Sequence, residues 1–285
     1  MELYDIATIN ELLSRYGLKF SKSLGQNFLT AAWVPERIAE ASEADKSCGV
    51  LEIGPGIGVL TRCLSTAAGK VVAVELDKGL IPVLDETLSG YDNVKIINDN
   101  ILKTDIAGLV EENFGGLTPV VCANLPYNIT SPVLTALIDS GCFGRITVMI
   151  QREVAKRICS SPGSADYGAF TVYANYHTRP AILFDVPPDC FVPRPKVYSS
   201  VIRLDKLGRE YVPKNEKLFF RIVRASFEQR RKTLVNGLMP LFGNKQLITD
   251  TIIKCGFDEK VRGETLGVNE FIMLADAFEA SSDVG

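Results

Sequence analysis

Histidine is almost missing from this chain: among 285 residues there is one, His177. Zinc needs several nitrogen or sulfur ligands close together. The seven cysteines (Cys48, Cys63, Cys122, Cys142, Cys159, Cys190 and Cys255) stand singly in mostly apolar surroundings, with no Cys-x-x-Cys pair. Neither a metal site nor a disulfide framework is indicated. Cysteine–histidine nucleophilic catalysis is set aside as well, because a lone histidine next to Tyr176 is more often a partly buried structural residue. No apolar run is long enough to span a bilayer. The opening Met1-Glu2-Leu3-Tyr4-Asp5 carries acids in place of the basic start and apolar stretch of a secretory signal, so a soluble, cytoplasmic protein is expected. An excess of basic charge is lacking too: the net charge is −3, which argues against a chain that coats nucleic acid. The charge is unevenly spread, with 18 basic and 23 acidic side chains in residues 1–205 against 13 and 11 in residues 206–285, so any polyanion site must be a local patch. Repeats and low-complexity tracts are absent.

What remains is the composition of an ordinary globular protein, 46% hydrophobic and 23% charged. The length suits one large domain, or a large one with a smaller appendage, and the pattern favours the second. From about Gly49 to Leu204, short β-branched runs alternate with longer amphipathic ones. Residues 50–53, 71–74, 94–97, 119–122 and 146–150 read as parallel strands, and 60–66, 80–88 and 131–140 have helical spacing where crossovers belong. This predicts an α/β fold built on a doubly wound, mostly parallel sheet. Two later runs, 182–186 and 199–204, suit an antiparallel pair at one edge. After Asp205, Gly208 and Pro213 punctuate a polar link, and residues 217–238 then show continuous helical periodicity, followed by short helix candidates. The expected division is residues 1–205 for the α/β domain and 206–285 for a small helical one.

The first strand runs into Glu52-Ile53-Gly54-Pro55-Gly56-Ile57-Gly58. Its glycines permit a tight turn and let backbone N–H groups approach a ligand over the carboxyl edge of the sheet. A dinucleotide fingerprint is Gly-x-Gly-x-x-Gly, whereas this loop is Gly-x-Gly-x-Gly with an acid just before it, which favours a ligand without pyrophosphate. Glu75 ends the second strand, where a carboxylate can accept from both hydroxyls of a ribose. Asp99 follows the third and is placed to accept from the exocyclic amine of an adenine. Singly these are a turn, a solvated strand end and a helix cap; together, in this order on successive strands, they point to S-adenosylmethionine. The fourth strand leads into Asn124-Leu125-Pro126-Tyr127. The N6 lone pair of adenine is delocalised into its ring, so that amine is a poor nucleophile until acceptors grip its hydrogens. The Asn124 Oδ1 and the Leu125 carbonyl can grip them, Pro126 fixes the turn, and Tyr127 offers a face for the base. Alone, the same four residues also make a plain polar turn.

The chain resembles the ribosomal RNA adenine N6,N6-dimethyltransferases, in particular the branch acting on small-subunit 16S rRNA. The motifs are Leu24-Gly25-Gln26-Asn27-Phe28-Leu29, the Glu52 to Gly58 loop, Val74-Glu75-Leu76-Asp77, Asn124-Leu125-Pro126-Tyr127-Asn128 and Phe191-Val192-Pro193-Arg194-Pro195-Lys196-Val197. As a set they are highly specific and cover nearly the whole chain; Thr30-Ala31 departs from the more polar continuation frequent among relatives. The resemblance implies a Rossmann-like methyltransferase fold that gives N6,N6-dimethyladenosine in 16S rRNA of an immature 30S subunit, with no stable protein partner. It also implies that Asn27 and Leu29 close over the methionine and sulfonium end of the cofactor, joining Gly54, Glu75, Asp99 and Asn124. Phe191 becomes the second wall of the base pocket, opposite Tyr127. In residues 219–232, Phe219, Ile222, Val223 and Phe227 define one helical face and Arg221, Arg224 and Arg231 another. A charged helix face is usually just solvated, but beside these motifs it is expected to meet RNA phosphates. The competing readings are a large-subunit dimethylase of the macrolide-resistance kind, whose members tend to be strongly basic, and a ribosome-assembly factor that keeps the fold without catalysis. A small-molecule methyltransferase is disfavoured by the Phe191 loop and the basic helix.

Overall fold

In the computed structural model, which describes residues 1–18 and 26–282, the alternation read from the sequence becomes a layered α/β structure; Leu24 and Gly25 of the first motif lie outside the described residues. The strands in chain order are β1 (Phe28–Leu29), β2 (Cys48–Ile53), β3 (Lys70–Glu75), β4 (Val94–Asn98), β5 (Thr118–Asn124), β6 (Arg145–Gln151), β7 (Thr178–Val186), β8 (Phe191–Val192) and β9 (Ser199–Lys206). Seven form one sheet in the order β4-β3-β2-β5-β6-β9-β7, while β1 and β8 make a separate antiparallel ribbon. Strands β2 to β6 pair in parallel, and β9 runs antiparallel to β6. Every residue of β2 is buried, as a central strand covered on both faces requires.

The helices of this part are α1 (Ile6–Arg15), α2 (Trp33–Ala41), α3 (Val59–Ala67), α4 (Ile81–Thr87), α5 (Ile106–Phe114) and α6 (Thr130–Asp139). From β2 the chain moves outward through β3 to β4, then returns to β5 on the other flank of β2 and moves on to β6. Right-handed crossovers in the two directions place α3 and α4 on one face and α5 and α6 on the other. The strand order therefore reverses between β2 and β5, which opens a crevice at the carboxyl ends of these two strands.

The chain divides into two compact units, Met1–Ala155 with Ala181–Lys206, and Lys156–Pro180 with Leu207–Gly285. The single cut expected after Asp205 is thus corrected: residues 156–180 go with the second unit. The reason is packing, because Tyr167, Val172 and Tyr176 join the apolar core of Phe219, Ile222 and Phe271. The helices here are α7 (Arg152–Ile158), which straddles the division, α8 (Ala169–His177), α9 (Glu216–Glu228), α10 (Leu234–Phe242), α11 (Lys245–Lys254) and α12 (Val268–Ser282). Asn215 caps α9 by accepting from the Leu218 N–H at 3.0 Å. The one helix expected over 217–238 is two. Gln229-Arg230-Arg231-Lys232-Thr233 offers nothing apolar to bury, and the Lys232 N–H closes a turn on the Gln229 carbonyl at 2.8 Å. Arg231 accordingly sits in that turn and not on the face of α9. No helix among the described residues is long and apolar enough to cross a membrane.

Candidate active site

Two loops meet at the crevice between β2 and β5. A Cβ placed on Gly54 would stand 3.8 Å from Pro126, so the glycine loop and the Asn124 loop are in contact. Gly54 and Gly56 have φ of +67° and +61°, a region that side chains make costly. At Gly56 an added Cβ would also come within 3.2 Å of the Phe28 ring, which brings β1 up to the loop from outside the sheet. One cavity results. Asn27, Leu29, Gly54, Glu75, Asp99, Asn124, Leu125 and Tyr127 all line it.

Glu75, the last residue of β3, is 6% exposed and accepts from the Asp77 N–H at 2.7 Å. Burial raises its carboxyl above the ordinary range, partly countered by the Asp77 and Gly56 N–H groups. Asp99 is exposed and turned partly on its own loop, with Oδ1 accepting from the Asn100 N–H at 2.7 Å and Oδ2 from the Thr104 hydroxyl at 2.8 Å. The Thr104 bond, followed by the Asn100 N–H, holds its carboxyl below the usual range. Asn124 ends β5, and its side chain makes no hydrogen bond to another described residue. The backbone beyond it is fixed: the Leu125 N–H donates to the Met149 carbonyl at 3.1 Å, and Pro126 holds φ −58° and ψ 132°. Tyr127 is tied through its hydroxyl to Ser199 Oγ at 2.7 Å, and burial raises its phenol.

Phe191 does not join them. It pairs with Leu29 across the β1–β8 ribbon, is 5% exposed and packs in the same apolar core as Phe28 and Leu29, outside the set of residues that line the cavity. The aromatic residue that shares the cavity with Tyr127 is Phe28. Sequence reasoning also left Glu52 out of the site. Its carboxyl lines the cavity at 1% exposure, and burial pushes it up to about 8, the Thr61 hydroxyl opposing the shift and Glu75 adding to it. Glu52 Oε2 and Thr61 Oγ1 are both buried without a partner in hydrogen-bond geometry. A carboxylate inside an otherwise apolar strand was the available signal. For Phe28 the signal was its place between Asn27 and Leu29 in the first motif, while its approach to Gly56 goes with a pairing between residues far apart in the chain.

In the second unit, Arg221 and Arg224 are exposed on α9, while Phe219, Ile222 and Val223 are buried and Phe227 is half-buried. Arg231 is exposed in the following turn, and its neighbour Arg230 is engaged with the Ala165 carbonyl at 2.9 Å and Glu264 at 3.6 Å. Among the described residues no group of His, Cys, Asp or Glu is placed to hold a metal ion.

The sequence profile of the ribosomal RNA adenine dimethylases matches residues 17–278. The chain belongs to this family. Within it, the ribosomal RNA small subunit methyltransferase A of Lachnoclostridium phytofermentans is 48% identical over 275 residues, covering 94% of this chain and 95% of that protein. The protein of the same description from Bacillus cytotoxicus is 45% identical over 283 residues, covering 96% and 97%. Among solved structures, a dimethyladenosine transferase from Plasmodium falciparum superposes with a TM-score of 0.76 at 25% identity, over 89% of this chain and 98% of that one. The protein is a methyltransferase of this family, with a Rossmann-like sheet and a helical C-terminal region.

Proposed function

We propose that the protein transfers methyl groups from S-adenosylmethionine to N6 of adenosines in small-subunit (16S) ribosomal RNA, giving N6,N6-dimethyladenosine in an immature 30S subunit in the cytoplasm. One observation carries the reading: a single cavity is lined both by the glycine loop with Glu75 and Asp99 and by the run from Asn124 to Tyr127. The description of the two bacterial relatives as small-subunit enzymes favours that RNA over the large-subunit one. The residues present fit an adenosine-bearing cofactor. Glu52, whose buried Oε2 is without a partner, lines the cavity, and Gly54 and Gly56 bring backbone without side chains to its wall. In this reading Asn27, Leu29, Gly54, Glu75, Asp99 and Asn124 hold the cofactor, which when bound supplies a methyl group already activated by positive sulfur.

The chain's own task is then positioning. Asn124 Oδ1 and the Leu125 carbonyl accept the two N6 hydrogens and turn the lone pair toward the donor. Tyr127 stacks on the base, which must first be taken out of its helix or loop. After one transfer a single hydrogen remains, so the amine must rotate before the second. Phe191 serves from behind, holding Leu29 in place. Arg221, Arg224 and Arg231 contact phosphates. The test is mass spectrometry of immature 30S particles, naked small-subunit rRNA and large-subunit rRNA treated with protein and labelled cofactor. Dimethyladenosine is expected in the small-subunit samples; its absence there, or its appearance in large-subunit RNA alone, overturns the reading. Asn124→Ala should abolish transfer while leaving the fold and most RNA affinity intact, and full activity of that variant would refute its role.

A further inference from the structure

A second surface, used by none of the steps above, flanks the cavity. Between β8 and β9, Arg194, Lys196 and Tyr198 are exposed, while Pro193, Pro195 and Val197 between them are half-buried. Two cations and a ring are thus offered to solvent by a segment anchored at alternate positions. Tyr198 is 43% exposed, and the Arg152 guanidinium carbon stands 4.6 Å from its ring centroid. The Arg152 N–H also donates to the Tyr198 carbonyl at 3.0 Å, so the stacked pair is held by backbone as well as by side chain.

The pair is joined to the site. The next residue, Ser199, bonds the Tyr127 hydroxyl at 2.7 Å. In the sheet Asn124 lies opposite Met149 of β6, and Ser199 lies opposite Gln151, two positions further along the same strand. At about 3.3 Å per residue and about 4.8 Å between strands, the Tyr198 backbone is roughly 14 Å from that of Asn124, a span of two or so nucleotides. The cations are available. Lys196 has no ion pair among the described residues. Arg194 meets Asp189 at 2.9 Å, but both side chains are about two-thirds exposed (67% and 70%), so solvent screens the pair and a phosphate can replace the acid. Arg152 has Asp185 at 3.8 Å, which steadies it over the ring.

Aromatic faces and guanidinium planes hold unstacked bases, and cations hold the phosphates between them. A strand whose adenine has been withdrawn exposes the faces of that adenine's neighbours. Resting on the methyl-transfer reading above, we propose that Tyr198 with Arg152 stacks a nucleotide flanking the target adenosine, while Lys196 and Arg194 take the adjoining phosphates. The strip is a positioning element that fixes the approach of the RNA strand to Asn124.

The test uses the full-length protein and immature 30S particles with unmethylated RNA. Tyr198→Ala, Tyr198→Phe and the double variant Arg194→Ala with Lys196→Ala are compared with wild type. The measurements are particle affinity across a salt series, KM and kcat for methyl transfer, and cofactor affinity without RNA. Tyr198→Ala should weaken particle binding and raise KM about tenfold, within the range of one missing base stack, and Tyr198→Phe should restore both. The double variant should lower the slope of log affinity against log salt by about 1.4, at about 0.7 for each single-strand phosphate neutralised. Cofactor affinity should match wild type in all three. Unchanged particle affinity and salt slope would overturn the proposal, as would a parallel loss of cofactor binding, which would mean these residues only shape the cavity. A wild-type protein that binds particles and adds no methyl group would instead sink the methyl-transfer reading, with the binding data still deciding the strip.

Discussion

Replacing Glu52 by glutamine should remove a pH dependence of stability that the wild-type protein carries. Glu52 sits on the central strand β2 at 1% exposure with Oε2 unpartnered, and burial moves its carboxyl from the ordinary 4.5 to about 8. The folded protein therefore keeps a proton that the unfolded chain gives up. Stability is fully present below the unfolded value and falls as pH rises through the window up to about 8, at about 1.4 kcal/mol per pH unit for one proton. Over the whole window the loss is on the order of 5 kcal/mol, comparable with the entire stability of a modest domain. Glutamine keeps the shape and has no proton to lose. Glu75, which burial also raises and which adds to the Glu52 shift, is present in both proteins, so the difference reports Glu52 together with its coupling to Glu75. Urea unfolding of the two ligand-free proteins at closely spaced pH gives the difference directly. The wild-type disadvantage should grow by about 1.4 kcal/mol per unit through the neutral range and level off above about pH 8. Parallel curves would refute the burial argument, and a slope that ends before neutrality would mean that Glu52 is ionised in the folded protein.

Two other outcomes follow from the same geometry. Gly56→Ala forces a side chain into φ +61° and against the Phe28 ring at 3.2 Å. The left-handed conformation alone costs about 1–2 kcal/mol, so the melting midpoint should drop by several degrees and cofactor binding, measured by equilibrium dialysis, should weaken; wild-type values for both would refute the crowding. Replacing Arg221, Arg224 and Arg231 by alanine should leave thermal stability unchanged, because all three are exposed, yet flatten the salt dependence of RNA binding by about 0.9 for each duplex phosphate that an arginine neutralises. An unchanged slope would remove this patch from the interface.

The layered sheet was legible because β-branched runs of strand length were bounded by glycines and separated by amphipathic stretches, and β2, β3, β5 and β6 fall where those runs stood. The glycine loop and the Asn124 turn were legible for the same reason, each following a strand that ends at the carboxyl edge. Helix α1 is encoded just as locally: Asp5 caps it by accepting from the Thr8 N–H at 2.8 Å, and Ile9, Leu12 and Leu13 supply its buried face. Other features lie beyond local pattern. The periodicity of α8 states that it has an apolar face but not which core receives it, so the placement of residues 156–180 was invisible. The break between α9 and α10 was masked because a basic run reads equally well as a solvated helix face.

The β1–β8 ribbon shows how a short pairing decides chemistry that a motif leaves open. Each strand has two residues, too few for any periodicity, and the pairing joins Phe28 to Val192 and Leu29 to Phe191. With that register Phe28 and Leu29 both line the cavity, while Phe191, paired with Leu29, packs behind them in the same apolar core. In the proposed reading the target adenine then has Tyr127 as its stacking partner and is selected chiefly through its N6 hydrogens at Asn124 and Leu125. The stacking that a base gives up on leaving the RNA is only partly restored by one ring. Interactions along the strand add to it, and in the proposal made above the Tyr198–Arg152 pair, one residue from the Ser199 that holds Tyr127, supplies one of them.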